Sequence, residues 1–154
     1  MIDKFDGTEF RFLSNFYASK VMLDDIEFPT VEHAFQAAKT LDIEERLTIK
    51  EASTPGVAKI MGRHVTLRAD WEEIKISVME NLVRQKFQDA ILRERLLSTG
   101  HQILVEGNTW HDTFWGVYNN VGANNLGKIL MKIRAEIQDE QKRNDPKASK
   151  QELL

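Results

Sequence analysis

Apolar residues recur along this chain at two kinds of spacing. Up to Phe28 the pattern is irregular or extended. Phe5, Phe10, Phe12, Phe16 and Tyr17 make an aromatic-rich segment, and Val21-Met22-Leu23 and Ile26-Glu27-Phe28 flank Asp24-Asp25 as the arms of a short hairpin. The spacing then becomes helical. Thr30 after Pro29 is a helix N-cap, and Val31, Ala34, Phe35 and Ala38 follow at i, i+3, i+4 and i+7, the stripe of a core-facing helix. Asp42-x-x-Glu45 and Asp70-x-x-Glu73 have the form of capping boxes, with Asp in the Ser/Thr position. The second opens a long helix through Ile74, Val78, Met79, Leu82, Val83 and Phe87. Thr54-Pro55 starts another helix, with proline at its first position. A shorter one around Ile91 to Leu97 ends at Thr99-Gly100, where glycine fits a left-handed cap.

Beyond that point Ile103-Leu104-Val105 predicts a brief strand, and a loop rich in Trp, Asn and Gly runs from Gly107 to Asn125. Leu126, Ile129, Leu130, Ile133 and Ile137 share one face of a last helix. The pattern predicts a mostly α, α+β fold. It has five to six helices in one domain over 1–137, with a few short strands near the N-terminus and before the Trp-rich loop. From Gln138 the chain reads QDEQKRNDPKASKQELL, with no apolar period. Such a segment buries too little surface to offset its ordering entropy, so 138–154 is expected to be a frayed or disordered tail.

Composition narrows the class without naming a chemistry. The 154 residues fit one domain with its own core, and the absence of cysteine excludes disulfides and cysteine-ligated metals. No apolar run approaches the roughly 20 residues that span a bilayer, and no signal peptide is evident. A soluble, cytoplasmic protein without a membrane partner is expected. Twenty-one basic residues against 24 acidic ones give a net charge of −3, so no global positive field advertises duplex binding.

Three places carry candidate chemistry. Glu32, Gln36 and Lys39 fall at i, i+4 and i+7, on one helix face beside the apolar stripe. A solvated polar face has that spacing. So does a carboxylate and an amine held against Phe35 and the small Ala34, Ala37 and Ala38, where shifted pKa values suit acid, base or nucleophile roles. The second place is Asn108 to Gly116, where Trp110, Phe114 and Trp115 bracket Asp112. Aromatics in a loop either plug a core or form a platform for a planar base or sugar. The glycines and asparagines after it lead into the last helix, whose N-terminus suits a phosphate. The third is Arg63, His64 and Arg68, which read as surface charge or as a phosphate site. His33, His64, His101 and His111 lie in separate segments without metal-ligand spacing, so neither a metal nor another cofactor is expected.

Read together, Phe12-Leu13-Ser14-Asn15-Phe16-Tyr17 and Thr30-Val31-Glu32-His33-Ala34-Phe35-Gln36-Ala37-Ala38-Lys39 strongly resemble the NADAR family, the YbiA-like proteins. Thr54-Pro55, Met61-Gly62-Arg63, Asp70-Trp71, Lys86-Phe87, Thr99-Gly100, Phe114-Trp115-Gly116 and Leu126-Gly127 continue the resemblance in order, over about Phe5 to Ile137. It implies a YbiA-like fold and hydrolysis of an N-glycosyl bond between ribose C1 and an exocyclic base nitrogen. Two substrate classes are implied. The leading expectation is ADP-ribose on guanine in nucleic acid, sometimes in a toxin–antitoxin setting. The other is a ribosylaminopyrimidine phosphate from riboflavin biosynthesis.

The positions matching the family's active-site motifs are Glu32, Trp71, Asp112 and Trp115, with Lys39 and Arg63 as further polar matches. Asn15, Phe16, Gln36, Gly116 and Asn124 complete the candidate substrate-binding set. The family's pattern is often basic after Gly122, where this chain has Ala123, so phosphate binding would fall to Arg63, Arg68, Lys128 or backbone amides. Two mechanisms are compatible with these residues. Glu32 and Asp112 could divide stabilisation of the C1 cation from protonation of the leaving amine, with a tryptophan stacked on the base. Alternatively Lys39 could exchange into the ring-opened imine as a Schiff base. A non-catalytic ADP-ribose or nucleotide reader is the reading from another class.

Overall fold

The computed structural model describes residues 1–147. Among them are a 3-10 turn at Arg11–Leu13, a hairpin of β1 (Val21–Leu23) and β2 (Ile26–Phe28), and six α-helices. These are α1 (Val31–Ala38), α2 (Ile43–Lys50), α3 (Pro55–Gly62), α4 (Trp71–Lys86), α5 (Ala90–Ser98) and α6 (Asn125–Asn144). The mostly helical class read from the sequence is therefore correct. None of these helices is long and apolar enough to cross a membrane.

The described residues pack as two compact units, Phe5–Leu92 and Met1–Lys4 with 93–147. In the first, α1 is the central element: α2, α3, α4 and both strands pack against it. Every residue from Val31 to Ala38 is buried, including Glu32, His33 and Gln36. The sequence permits this because Ala34, Ala37 and Ala38 leave the helix narrow on several sides. Gly62 lets α3 approach closely, since a Cβ there would lie 1.9 Å from Gln36 Oε1. The hairpin pairs Val21 with Phe28, Met22 with Glu27 and Leu23 with Ile26. Asp24 and Asp25 both take positive φ (45° and 67°), the backbone of the tight turn whose twist matches the strands it joins. Phe12 meets the edge of Phe87 with centroids 6.4 Å apart, tying the aromatic N-terminal segment to the end of α4.

Three of the expected caps are made. Thr30 Oγ1 accepts from His33 N at 3.0 Å, Thr54 Oγ1 from Val57 N, and Asp42 Oδ1 from Glu44 N and Glu45 N. Asp70 is a correction. It precedes α4 but makes no side-chain cap, because its carboxylate is held by Arg68 through Nε at 2.6 Å and Nη2 at 3.2 Å. A bidentate, charge-assisted pair is stronger than a hydrogen bond to one helix amide.

In the second unit, Leu126, Ile129, Leu130, Ile133 and Ile137 form the buried face of α6. Arg134 reaches from the same helix to Thr99 Oγ1 at 2.8 Å and to Gln102 O at 2.7 Å. Gly100 ends the turn after α5 with φ +63°. The strand expected at residues 103–105 is instead a single parallel bridge between Ile2 and Leu104. Among the described residues Ile2 alone bridges to it, donating to Ile103 O and accepting from Val105 N. The helix continues past the end of its apolar period, so Gln138 to Asn144, expected in the tail, are helical. Gln138 Nε2 donates to Gly100 O at 3.0 Å, a tether that hydrophobic spacing does not register. The tail residues 148–154 lie outside the described residues.

Candidate active site

The polar face of α1 is not solvated. Glu32 is 7% exposed and Gln36 4%, and Gln36 Nε2 donates to Glu32 Oε1 at 2.8 Å. Burying a carboxylate is costly unless it is hydrogen-bonded, so this pair is fixed by necessity. Gln36 Oε1 is also buried and has no hydrogen-bond partner among the described residues. Asn15 closes the start of the helix: its carbonyl accepts from Glu32 N at 3.2 Å, and its Nδ2 reaches Met79 Sδ on α4 at 3.5 Å. Phe16, next in sequence, is exposed.

Lys39 stands at the C-cap of the same helix, half-buried. Burial pushes its amine below the usual lysine range, and the positive charges of Arg63, Lys59 and Lys75 add to that, against the raising effect of the Glu32 carboxylate. An amine lowered in this way is neutral, and so nucleophilic, in a larger fraction of molecules. Lys59 and Lys75 were missed by the sequence reading as parts of this field. Lys59 lies one turn before Arg63, so its i, i+4 spacing was a usable signal. Lys75 is brought in by α4 and also pairs with Glu72 Oε2 at 2.6 Å.

Arg63 is exposed, whereas Arg68 is committed to structure. Besides its bidentate grip on Asp70, Arg68 donates from its backbone to Lys39 O at 2.8 Å and from Nη1 to Ala38 O at 3.5 Å. A guanidinium at the last carbonyls of α1 complements the helix dipole. Arg68 is thereby removed from the candidate phosphate ligands. Trp71 is 5% exposed and leans on Phe35, centroids 5.0 Å apart. It packs behind α1 and does not present an open stacking face.

Asp112, Trp115, Gly116 and Asn124 belong to the second unit, where they build the Trp-rich loop. Asp112 Oδ1 accepts from Phe114 N at 3.0 Å and Trp115 N at 2.8 Å, while the Asn108 carboxamide clasps the Asp112 backbone through both N and O. Asn124 Oδ1 accepts from Glu106 N, and its Nδ2 donates to Leu104 O, so both ends of that amide are engaged. A Cβ on Gly116 would lie 2.2 Å from Glu106 O, which explains the glycine by backbone approach. At the N-terminus of α6, where the sequence suits a phosphate, the loop itself supplies acceptors. Asn125 N and Leu126 N already donate to Phe114 O and Trp115 O of the loop. Trp115 is half-buried and meets Phe114 edge-on at 4.8 Å, and Trp110 is 56% exposed.

Comparison with known proteins identifies the family. The family model described as the NADAR domain matches residues 4–138. The N-glycosidase YbiA of Shigella flexneri serotype 5b (strain 8401) is 44% identical over 128 residues, 80% of this chain and 79% of that protein. A riboflavin biosynthesis protein of Vibrio vulnificus (strain YJ016) is 36% identical over 132 residues, 83% of this chain and 36% of that longer protein. The NMR structure of the E. coli protein YbiA superposes with a TM-score of 0.78 at 39% identity, covering 92% of this chain and 89% of that one. A match spanning both units, in sequence and in fold, leaves one conclusion: the chain belongs to the NADAR domain family.

Proposed function

We propose that this chain, an N-glycosidase of the NADAR family, cleaves the bond between ribose C1 and the exocyclic amine of a small ribosylamino-base phosphate, with Lys39 as nucleophile and Glu32 as proton carrier. The observation that carries the reading is the half-buried Lys39 amine, lowered in pKa, on the same helix as the buried Glu32 carboxylate. A ribosylamine opens to an imine at C1. The Lys39 amine adds to that carbon, and Glu32 carries the two protons released from Nζ, one after the other, to the base nitrogen, which leaves as the free amine. The new C1–Nζ imine is then cleaved by water, returning the sugar aldehyde and free Lys39. Gln36 fixes the Glu32 carboxylate for both transfers, and Arg63 with Lys59 supplies positive charge for the phosphate.

A riboflavin biosynthesis protein among the relatives and a net charge of −3 favour the small substrate. ADP-ribose on guanine in nucleic acid presents the same bond and is the competing substrate. Both are decided by one mass-spectrometric assay, with a ribosylaminopyrimidine phosphate in one tube and an ADP-ribosylated guanine oligonucleotide in the other. Release of ribose 5-phosphate supports the reading, and release of ADP-ribose alone moves the enzyme to nucleic acid. Borohydride added during turnover should leave a sugar adduct on Lys39. Turnover without an adduct overturns the lysine route, and ligand binding without turnover of either substrate would make the chain a reader.

A further inference from the structure

Lys86, the last residue of α4, is 1% exposed, and no part of the proposed reaction uses it. Its Nζ donates to Ser14 O at 2.7 Å and lies 5.7 Å from the Tyr17 ring centroid and 5.3 Å from that of Phe87. A cavity of about 450 Å³ adjoins it, lined in part by Tyr17, Ser19, Lys20 and Asp89. Burial pushes the amine down to about 7, so holding the ammonium here is expensive. A methionine would fill the same space without that cost, and something has to explain the lysine.

Its hydrogen bond leads to Glu32. Ser14 precedes Asn15, whose carbonyl accepts the Glu32 amide at 3.2 Å. Met79, seven residues before Lys86 and so on the same face of α4, takes the Asn15 side chain at 3.5 Å. The long helix thus grips the Ser14–Asn15 segment at two points, and that segment holds the first turn of α1. We propose that Lys86 is a positioning residue: it fixes the Ser14–Asn15 peptide, and through the Asn15 carbonyl the placement of the Glu32 carboxylate. The role rests on Glu32 being the acid–base group. Nothing else reaches Ser14 O from α4, and Tyr17 N, its other donor at 3.1 Å, lies within the same loop. That second donor also means that Lys86→Met leaves no bare carbonyl.

The test is steady-state kinetics on the ribosylaminopyrimidine phosphate for Lys86→Met, Glu32→Gln and the double variant. Small displacements of a reacting group cost rate, so kcat should fall about 10–100-fold in Lys86→Met with KM changed less than about twofold. The double variant should be no slower than Glu32→Gln alone, because Lys86 acts only through Glu32. An unchanged kcat in folded Lys86→Met, or losses that multiply in the double variant, overturns the proposal. If Glu32→Gln keeps full turnover, the acid–base reading fails by itself and this role falls with it. Should Lys86→Met not fold, NMR of the wild-type protein decides. The Glu32 amide should shift with the midpoint of ¹³Cε-labelled Lys86, with His33 on α1 and Tyr17, Lys20 and Asp89 at the cavity followed separately. An amide that ignores the Lys86 titration overturns the idea.

Discussion

Gln36 Nε2 donates to Glu32 Oε1 at 2.8 Å, one helical turn away, and this bond sets the direction of the only carboxylate on α1. The same carboxamide lies against Gly62 on α3. Gly62→Ala would place its Cβ 1.9 Å from Gln36 Oε1 and 2.7 Å from Gln36 Cδ, so the carboxamide must move. We expect a stability loss of about 1–3 kcal/mol by urea unfolding, as for other overpacked sites. Turnover should fall further than that loss explains, because Glu32 loses its orienting donor. A variant that is destabilised but fully active would show that the Gln36–Glu32 bond does not matter to the chemistry.

Lys39 must be neutral to attack, so log kcat should rise with pH through its titration and level off above it. Burial and the nearby cations place that limb below an ordinary lysine's 10.5. Arg63→Ala removes a charge that lowers the pKa, which should move the limb to higher pH. Glu32→Gln removes the charge that raises it, so the limb of its residual activity should move to lower pH. A pH–rate profile that Arg63→Ala leaves unshifted would separate Arg63 from the field at Lys39.

Asp112 is held by geometry that has little need of its charge. Its Oδ1 accepts two backbone amides, from Phe114 and Trp115, and Asn could accept both. Asp112→Asn is therefore expected to keep the fold and most turnover. Asp112→Ala should cost about 1–2 kcal/mol, because it strands two amides. Loss of turnover in a folded Asp112→Asn would return the carboxylate to a catalytic role.

Stability should also report Lys86. Its amine is lowered from 10.5 unfolded to about 7 folded, so between those values the unfolded chain binds more protons. Stability then increases with pH across that window and is lost as pH falls back toward 7, by at most about 1.4 kcal/mol per pH unit from this group. Urea unfolding of wild type from pH 7 to 10 should carry this slope. Lys86→Met should show a shallower one, since only Lys39 and other groups still contribute. Parallel curves for the two proteins would mean that Lys86 keeps an ordinary pKa.

Much of the secondary structure was legible in the sequence because it is locally decided. Thr30, Thr54 and Asp42 cap the helices that follow them through side chains two or three residues from the amides they satisfy, and Asp24-Asp25 supplies a turn that needs positive φ. Asp70 defeated the same rule because Arg68, also a neighbour, offered its carboxylate two donors where the helix offered less. The strand expected at Ile103-Leu104-Val105 depended on a partner from the N-terminus, and Ile2 supplied one bridge only.

The family, the helix α1 and the set Glu32, Gln36 and Lys39 along it are readable from the chain alone, since a 3.6-residue period puts those positions on one face whatever surrounds them. Tertiary packing buries this face. Helical spacing is blind to what packs on each side, and here α2, α3, α4 and the hairpin all close on one short, alanine-rich helix. Packing also decided which polar residues are committed elsewhere. Arg68, Trp71, Asn124 and the first amides of α6 looked available along the chain but are taken by partners many residues away. In the sequence Lys86 stands out only as part of the Lys86-Phe87 resemblance, because a lysine's role depends on whether water reaches it, and burial is a property of the folded chain.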